Sequence, residues 1–405
     1  MKKPPRLERF LVALCVWMLP AIKAPATQGL TFHASFDSYV QEGGVVGAAY
    51  VVLDKGKVEE TRAIGMADLE MRQAVNSNTI FHWASITKTL TAVAIMQLRD
   101  HGKLSLDDPI IKYVPELTRV HSEDNSISRV TLRHLLSHSA GFQSPTWPYR
   151  DDSKLWQPFE PTEWNQLVAM MPYQELAFAP GTKFQYSNPG FIYLARLIEA
   201  VTGDPYEVYV QKNILTPLGM TRSYYNFTPY HLSQDRSNRY TIRVGGDGHR
   251  QTIANGRELH TGITTPNGGL NAPLGDLARW VAFLAGPSPS PTSDVILARK
   301  SLEEMWQPVV PVNPDTATEP PVWMGLSFFL YPRGSGSDAV TFVGHTGHQA
   351  GFRAFMVFNP HDGRAVIAAL NTSYEEGSTP AGQDAFRKSE RSFTSLIEQA
   401  TEVLR

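Results

Sequence analysis

The chain has 405 residues, 42% of them hydrophobic and 19% charged, with a formal charge of −2. That is enough to bury a sizeable core in one large domain or two lobes, and nothing in it favours a nucleic-acid partner. Cys15 is the single cysteine and lies in a leader-like N-terminus. A mature chain without it has no disulfide, thiolate nucleophile or zinc–thiolate site.

The N-terminus opens with basic MKKPPRLER, continues with apolar FLVALCVWMLPAI and reaches the small residues Ala24–Ala26. This pattern predicts a signal peptide over residues 1–26 and an exported protein, periplasmic or secreted. The apolar run is short for a membrane span, and only if left uncleaved would it tether the protein to a membrane. Leu14 before Cys15 fits a lipoprotein cleavage site poorly. Cleavage removes five Lys/Arg and one Asp/Glu, leaving a charge of −6.

FHASFDSYVQEG then reads as a short helix, and VVGAAYVVLDKGKVEETRAIGMADL as two strands joined by a turn at Asp54–Gly56. Phe81 to Gly102, FHWASITKTLTAVAIMQLRDHG, is apolar almost all round and reads as a buried helix with Gly102 as its stop. Residues 104–180 alternate helical pieces with Pro, Asp and Ser. FIYLARLIEAVTG (191–203) and PLGDLARWVAFLAG (273–286) read as amphipathic helices. Two Pro-rich stretches, 286–294 and 307–322, read as surface loops rather than linkers. WMGLSFFLY, AVTFVGH, GFRAFMVFNP and RAVIAALNT follow as strands, with NPHDGR a hairpin turn, and the tail closes as an amphipathic helix. No 20–50-residue repeat is evident.

Three elements carry chemistry. Ser85-Ile-Thr-Lys88 is the only Ser-x-x-Lys; three residues apart on a helix, both side chains share one face. A serine needs a base to take its proton, and a lysine serves if burial or a cation lowers its pKa. Tyr186-Ser-Asn188 follows a Pro180–Gly181 turn and ends in another turn. A phenol can relay protons if adjacent cations depress its pKa, and an Asn amide can both donate and accept. His345-Thr346-Gly347 ends a strand, where Gly347 lets a substrate backbone approach. Decoys exist for the last two, at Tyr224–Asn226 and His260–Gly262.

In this order the three elements resemble the serine hydrolases related to class C β-lactamases and penicillin-binding proteins. FHWASITK, VTLRHLLSHSAGF, PGTKFQYSN, TPLGM, PNGGL and GHTGHQAGF carry the resemblance over nearly the whole chain after the leader. It implies an α+β fold of the β-lactamase/DD-peptidase type: an antiparallel sheet flanked by N- and C-terminal helices, with a largely helical inserted lobe. The hydrolase domain would span 27–405, its α/β lobe about 31–78 and 322–405 and its helical lobe about 79–321.

The resemblance also assigns roles. Ser85 is the nucleophile, Lys88 the general base and proton shuttle, and Tyr186 shares that work. Asn188, His345, Thr346 and Gly347 bind substrate, and the backbone N–H groups of Ser85 and His348 form the oxyanion hole. His345 stands where β-lactamases and most carboxypeptidases have a lysine. At its unperturbed pKa it would be about a quarter protonated at pH 7 and a weak anion anchor. This points to an ester, amide or D-amino-acid peptide handled through an acyl-Ser85 intermediate. The alternatives are a β-lactamase or D-Ala-D-Ala carboxypeptidase, and a non-hydrolytic cell-wall or penicillin-binding protein.

No cofactor and no metal are expected. His134 and His138, four apart, lack the Glu of a His-Glu-x-x-His site and read as a capped, packed helix. The partner is a small-molecule or peptide substrate, and the sequence leaves oligomeric state unknown. Trp147, Trp156 and Trp164, with Tyr149, Phe159 and Tyr173, read as either an aromatic pocket or core.

Overall fold

Apolar runs from the two ends of the chain meet in one sheet. The structure, a computed structural model, describes residues 32–142, 161–286, 293–314, 321–334, 336 and 339–405. The strands of the sheet are β1 (Gly47–Asp54), β2 (Lys57–Asp68), β3 (Gln73–Ala74), β4 (Val310–Pro311), β5 (Trp323–Met324), β6 (Phe329–Arg333), β7 (Val340–Gln349), β8 (Phe352–Phe358) and β9 (Ala365–Leu370). Their order is β3-β2-β1-β9-β8-β7-β6-β5-β4, with antiparallel neighbours throughout. The two ends of the chain join at β1–β9, where Ala48 lies opposite Leu370 and Leu53 opposite Ala365. Lys55 and Gly56 close the β1–β2 hairpin with φ of 49° and 75°, the two positive values a tight primed turn needs.

Strand side chains alternate between faces, and here both faces are covered. Ala48, Tyr50, Val52, Phe355 and Val357 pack on helices α1 (Phe32–Glu42) and α5 (Pro380–Val403) through Phe32, Phe36, Phe393 and Leu396. Ala49, Val51, Leu53, Ala354 and Met356 face a larger core built around α2 (Thr87–Asp100), α3 (Asn188–Thr202) and α4 (Leu274–Ala285). Each large apolar side chain buried this way contributes about 1.5–3 kcal/mol. This is the expected α+β architecture, an antiparallel sheet flanked by the N- and C-terminal helices, which share one of its faces.

The opening helix is shorter than the sequence suggested. Ile80–His82 is a strand, paired with Leu270–Pro273, which also pairs with Tyr224–Tyr225. A 3₁₀ turn at Ala84–Ile86 follows, and α2 starts only at Thr87. Periodicity does not separate a short buried strand from a buried helix. Residues 87–98 of α2 are all buried, as an all-round apolar helix should be. Its polar side chains are satisfied: the Thr91 hydroxyl donates to the Pro266 carbonyl and Gln97 to the carbonyls of Asn213 and Ile296.

Helix α3 begins at Asn188, three residues before the expected start, so Asn188-Pro-Gly is its first turn and not a loop turn. Ser187 caps it by accepting the Gly190 N–H, and proline is tolerated in a first turn. Between β3 and β4 the chain carries most of the helices, and also the hairpin Tyr240–Val244/Arg250–Ala254, whose first strand runs parallel to Thr372–Tyr374.

Candidate active site

Three segments converge where β7 leaves the protection of β6. The β6–β7 pairing stops at Phe329–Gly344, whereas β7 stays paired with β8 to Gln349. Residues 345–349 therefore present an edge free of β6. The turn bearing Ser85 packs here: a Cβ on Gly347 would lie 2.3 Å from the Trp83 carbonyl oxygen. The expected close approach at Gly347 is thus made by the protein's own backbone.

The Ser85 turn is held from several sides. Trp83 donates its N–H to the Leu270 carbonyl and its indole N–H to the Ala272 carbonyl. The Thr87 hydroxyl donates to the Ala84 carbonyl at 2.6 Å and accepts the Leu270 N–H at 3.0 Å. Ala84 has φ of 47°, a left-handed conformation that costs a side chain roughly 1–2 kcal/mol. That strain sits one residue before Ser85, which stays partly accessible while its neighbours are buried.

Lys88, the first turn of α2, is wholly buried. Its Nζ is 3.2 Å from Ser85 Oγ and 2.7 Å from the Asn267 carbonyl, and it lies over the rings of Tyr186 and Phe191. Burial pushes its pKa well below the ordinary lysine value. The lysine is therefore shifted toward the neutral amine, the form that can take a proton.

Tyr186 lies against this pair, stacked on His138 with ring centroids 4.3 Å apart. Burial pushes the phenol above its ordinary value, opposed by the nearby Ser85 hydroxyl, while its oxygen makes no hydrogen bond within the usual geometry among the described residues. The condition named from the sequence, a phenol depressed by adjacent cations, is not met among the described residues: Lys88 beside it is itself shifted toward neutrality, and desolvation wins. His345 is buried as well, its pKa down to about 3 through burial and then the field of Lys88. It is therefore neutral at pH 7 rather than a quarter protonated. Its Nδ1–H donates to the Thr346 carbonyl at 2.6 Å, and its buried Nε2 has no partner among the described residues.

Of the remaining sequence candidates, Asn188 sits in the first turn of α3, half-buried, its carbonyl accepting the Asn267 amide at 3.4 Å. Thr346 and His348 follow His345 along β7, and the His348 side chain is exposed. The decoys lie elsewhere: His260 packs on Phe227 at the surface, and Asn226 accepts from Thr261 and Thr265. His134 closes a capping box with Thr131, and no metal-binding cluster exists among the described residues. Trp164 packs edge-on against Tyr193 as part of the helical core; Trp147, Tyr149, Trp156 and Phe159 lie outside the described residues.

Two contributors escaped the sequence reading. Asn267 acts through a backbone carbonyl, which leaves no side-chain signature. His138 follows a short helix with φ of 55° and takes the Ser187 N–H on Nδ1 at 3.0 Å; its one hint was its place in the LLSHSAGF stretch. The cavity of about 260 Å³ between α1 and α5 shares none of these residues.

A serine beside a buried lysine, a neutral tyrosine and a neutral histidine, where a free sheet edge meets the inserted helices, is the arrangement of a serine hydrolase. The chain belongs to the β-lactamase family, whose profile matches residues 32–387. It is 26% identical over 337 residues to protein flp of Staphylococcus aureus, covering 83% of this chain and 62% of that protein. The chain thus spans about three-fifths of the length of that relative. It is 32% identical over 206 residues to esterase EstB of Burkholderia gladioli, covering 48% of this chain and 51% of the esterase. Among solved structures it is similar to a D-stereospecific amidohydrolase from Streptomyces sp., at 25% identity and a TM-score of 0.63, covering 88% of this chain and 98% of that one.

Proposed function

We propose that the protein is an exported serine hydrolase that forms an acyl-Ser85 intermediate on an ester, amide or D-amino-acid-containing peptide. The observation that carries the reading is the contact of 3.2 Å between Ser85 Oγ and a lysine amine stripped of water. Lys88 takes the hydroxyl proton as Ser85 attacks the carbonyl carbon, and the proton passes to the leaving group, with Tyr186 as relay. A tetrahedral oxyanion then lies between the N–H groups of Ser85 and His348, donors that usually supply the largest catalytic contribution. Lys88 next activates the water that releases the acyl group. Similarity to an esterase and to a D-stereospecific amidohydrolase supports this substrate range.

The neutral His345 disfavours substrates that must anchor a carboxylate there, which ranks penicillins and peptides ending in a free D-Ala below esters and amides. The test is intact mass of the mature protein after brief mixing with p-nitrophenyl esters, D-amino-acid amides and penicillin, wild type beside Ser85→Ala. An adduct on wild type alone, with turnover of an ester or amide, is the expected result. A lasting adduct without turnover would instead indicate a binding protein, and equal turnover by Ser85→Ala would end the nucleophile assignment.

A further inference from the structure

Side chains of a strand alternate, so His345, Gly347 and Gln349 share one face of β7. All three meet the segment around the nucleophile. The His345 ring lies by the ring of Tyr186, with centroids 6.4 Å apart, and within the field of Lys88. Gly347 admits the Trp83 carbonyl, and the Gln349 side-chain amide lies 3.1 Å from His82 Nε2. The first two contacts are packing. The third is directional, and among the described residues it is the one hydrogen bond found between Phe81–Lys88 and Val343–Phe352. The same amide also reaches Gly268, beside the Asn267 carbonyl that holds Lys88: a Cβ on Gly268 would lie 2.6 Å from the amide atom that faces His82.

The proton positions in this contact can be deduced. The Asn271 amide nitrogen faces two carbonyls, of Gly269 at 3.2 Å and Tyr224 at 3.5 Å, which can only accept. Asn271 Oδ1 therefore faces His82 Nδ1, at 2.9 Å, and that nitrogen carries the proton. His82 is buried, with Arg236 and Arg239 as the charged groups around it, and its pKa is down to about 4. A neutral ring holding its proton on Nδ1 offers a bare Nε2, and two acceptors cannot face each other, so the Gln349 amide, placed with Oε1 at 3.1 Å, is assigned the flipped orientation with its N–H toward the ring.

We propose that Gln349 is a positioning residue: through His82 it ties the turn bearing Ser85 to the strand end bearing His348, fixing the separation of the two oxyanion donors. The proposal rests on the reading that those two N–H groups flank the reacting carbonyl. It names a residue pair outside the catalytic set. Neither side chain touches the reacting atoms, so their effect lies in the placement of groups that do.

The experiment compares full-length wild type, Gln349→Ala and Gln349→Glu in p-nitrophenyl ester hydrolysis across pH, with His82 followed by NMR. Gln349→Ala is expected to lower kcat by roughly 10- to 100-fold, as a displaced reacting group does, with KM little changed. Gln349→Glu presents only acceptors, so it requires a second proton on His82. The His82 pKa then rises from about 4, and kcat gains an alkaline limb at that raised value that wild type lacks. A Gln349→Ala enzyme with wild-type kcat would overturn the proposal, as would Gln349→Glu with neither a new limb nor a shifted His82. If Gln349→Ala does not fold, the near-isosteric Gln349→Glu decides alone. Turnover surviving in Ser85→Ala would sink the nucleophile reading instead, whereas the His82 titration reports the tie whatever the nucleophile.

Discussion

Lys88 Nζ is 2.7 Å from the Asn267 carbonyl and 3.2 Å from the Ser85 hydroxyl, and the two contacts differ in kind. A carbonyl can only accept, so Asn267 takes an N–H from the amine. In the neutral amine this leaves the lone pair free to face Ser85. A backbone group thus orients the base, while burial supplies its lowered pKa.

Replacing Lys88 tests that division of labour. Lys88→Arg keeps a cation but has no usable lone pair at neutral pH, and Lys88→Met keeps the bulk alone. Both are expected to lose roughly 10²–10⁴-fold in kcat/KM, the usual range for a general base. In wild type, activity requires the neutral amine, so it falls as pH drops through the Lys88 pKa. That acid limb should lie well below the ordinary lysine range, and a limb at the ordinary value would show that Lys88 is not the base.

His345 makes a second prediction about charge. Its pKa of about 3 leaves it neutral from pH 5 to 8, so kcat/KM should show no inflection from it in that window. His345→Lys restores a cationic candidate beside Tyr186 and the free edge of β7. Penicillin acylation of Ser85, read by intact mass, should rise over wild type, and hydrolysis of neutral esters should not. Unchanged acylation would mean that side-chain charge at this position does not select substrates.

The sheet and its terminal helices were legible because both faces are buried and the strands at the two ends read as apolar runs. Ser85, Lys88, Tyr186 and His345 were legible as motifs, since nucleophiles, bases and relays are side-chain chemistry. What stayed hidden was carried by backbone and by burial. The Asn267 carbonyl has no residue signature, and Ala84 at φ 47° occupies a conformation that its identity does not announce. Gly347 was read as making room for substrate, whereas its missing side chain makes room for Trp83. The direction of the Tyr186 shift depended on whether cations or desolvation dominate, and only the packed structure decides that.

Burial of neutral histidines also sets how the fold responds to acid. His82 has its pKa lowered to about 4, His345 to about 3, and His138 well below its ordinary value, in each case first by desolvation. In the unfolded chain each would protonate near the ordinary value of about 6.5. Below that point the unfolded state binds more protons than the native one, so stability rises with pH and is lost as pH falls. The contribution is fully present above about pH 6.5 and declines toward the folded-state values, at about 1.4 kcal/mol per pH unit for each histidine. Urea unfolding at pH 7 and pH 5 should therefore show a marked loss of stability at the lower pH. His138→Gln removes one such group, so it should narrow the gap between the two pH values, whatever it costs in absolute stability. A gap unchanged in His138→Gln would mean that this ring is already protonated or solvated in the native protein.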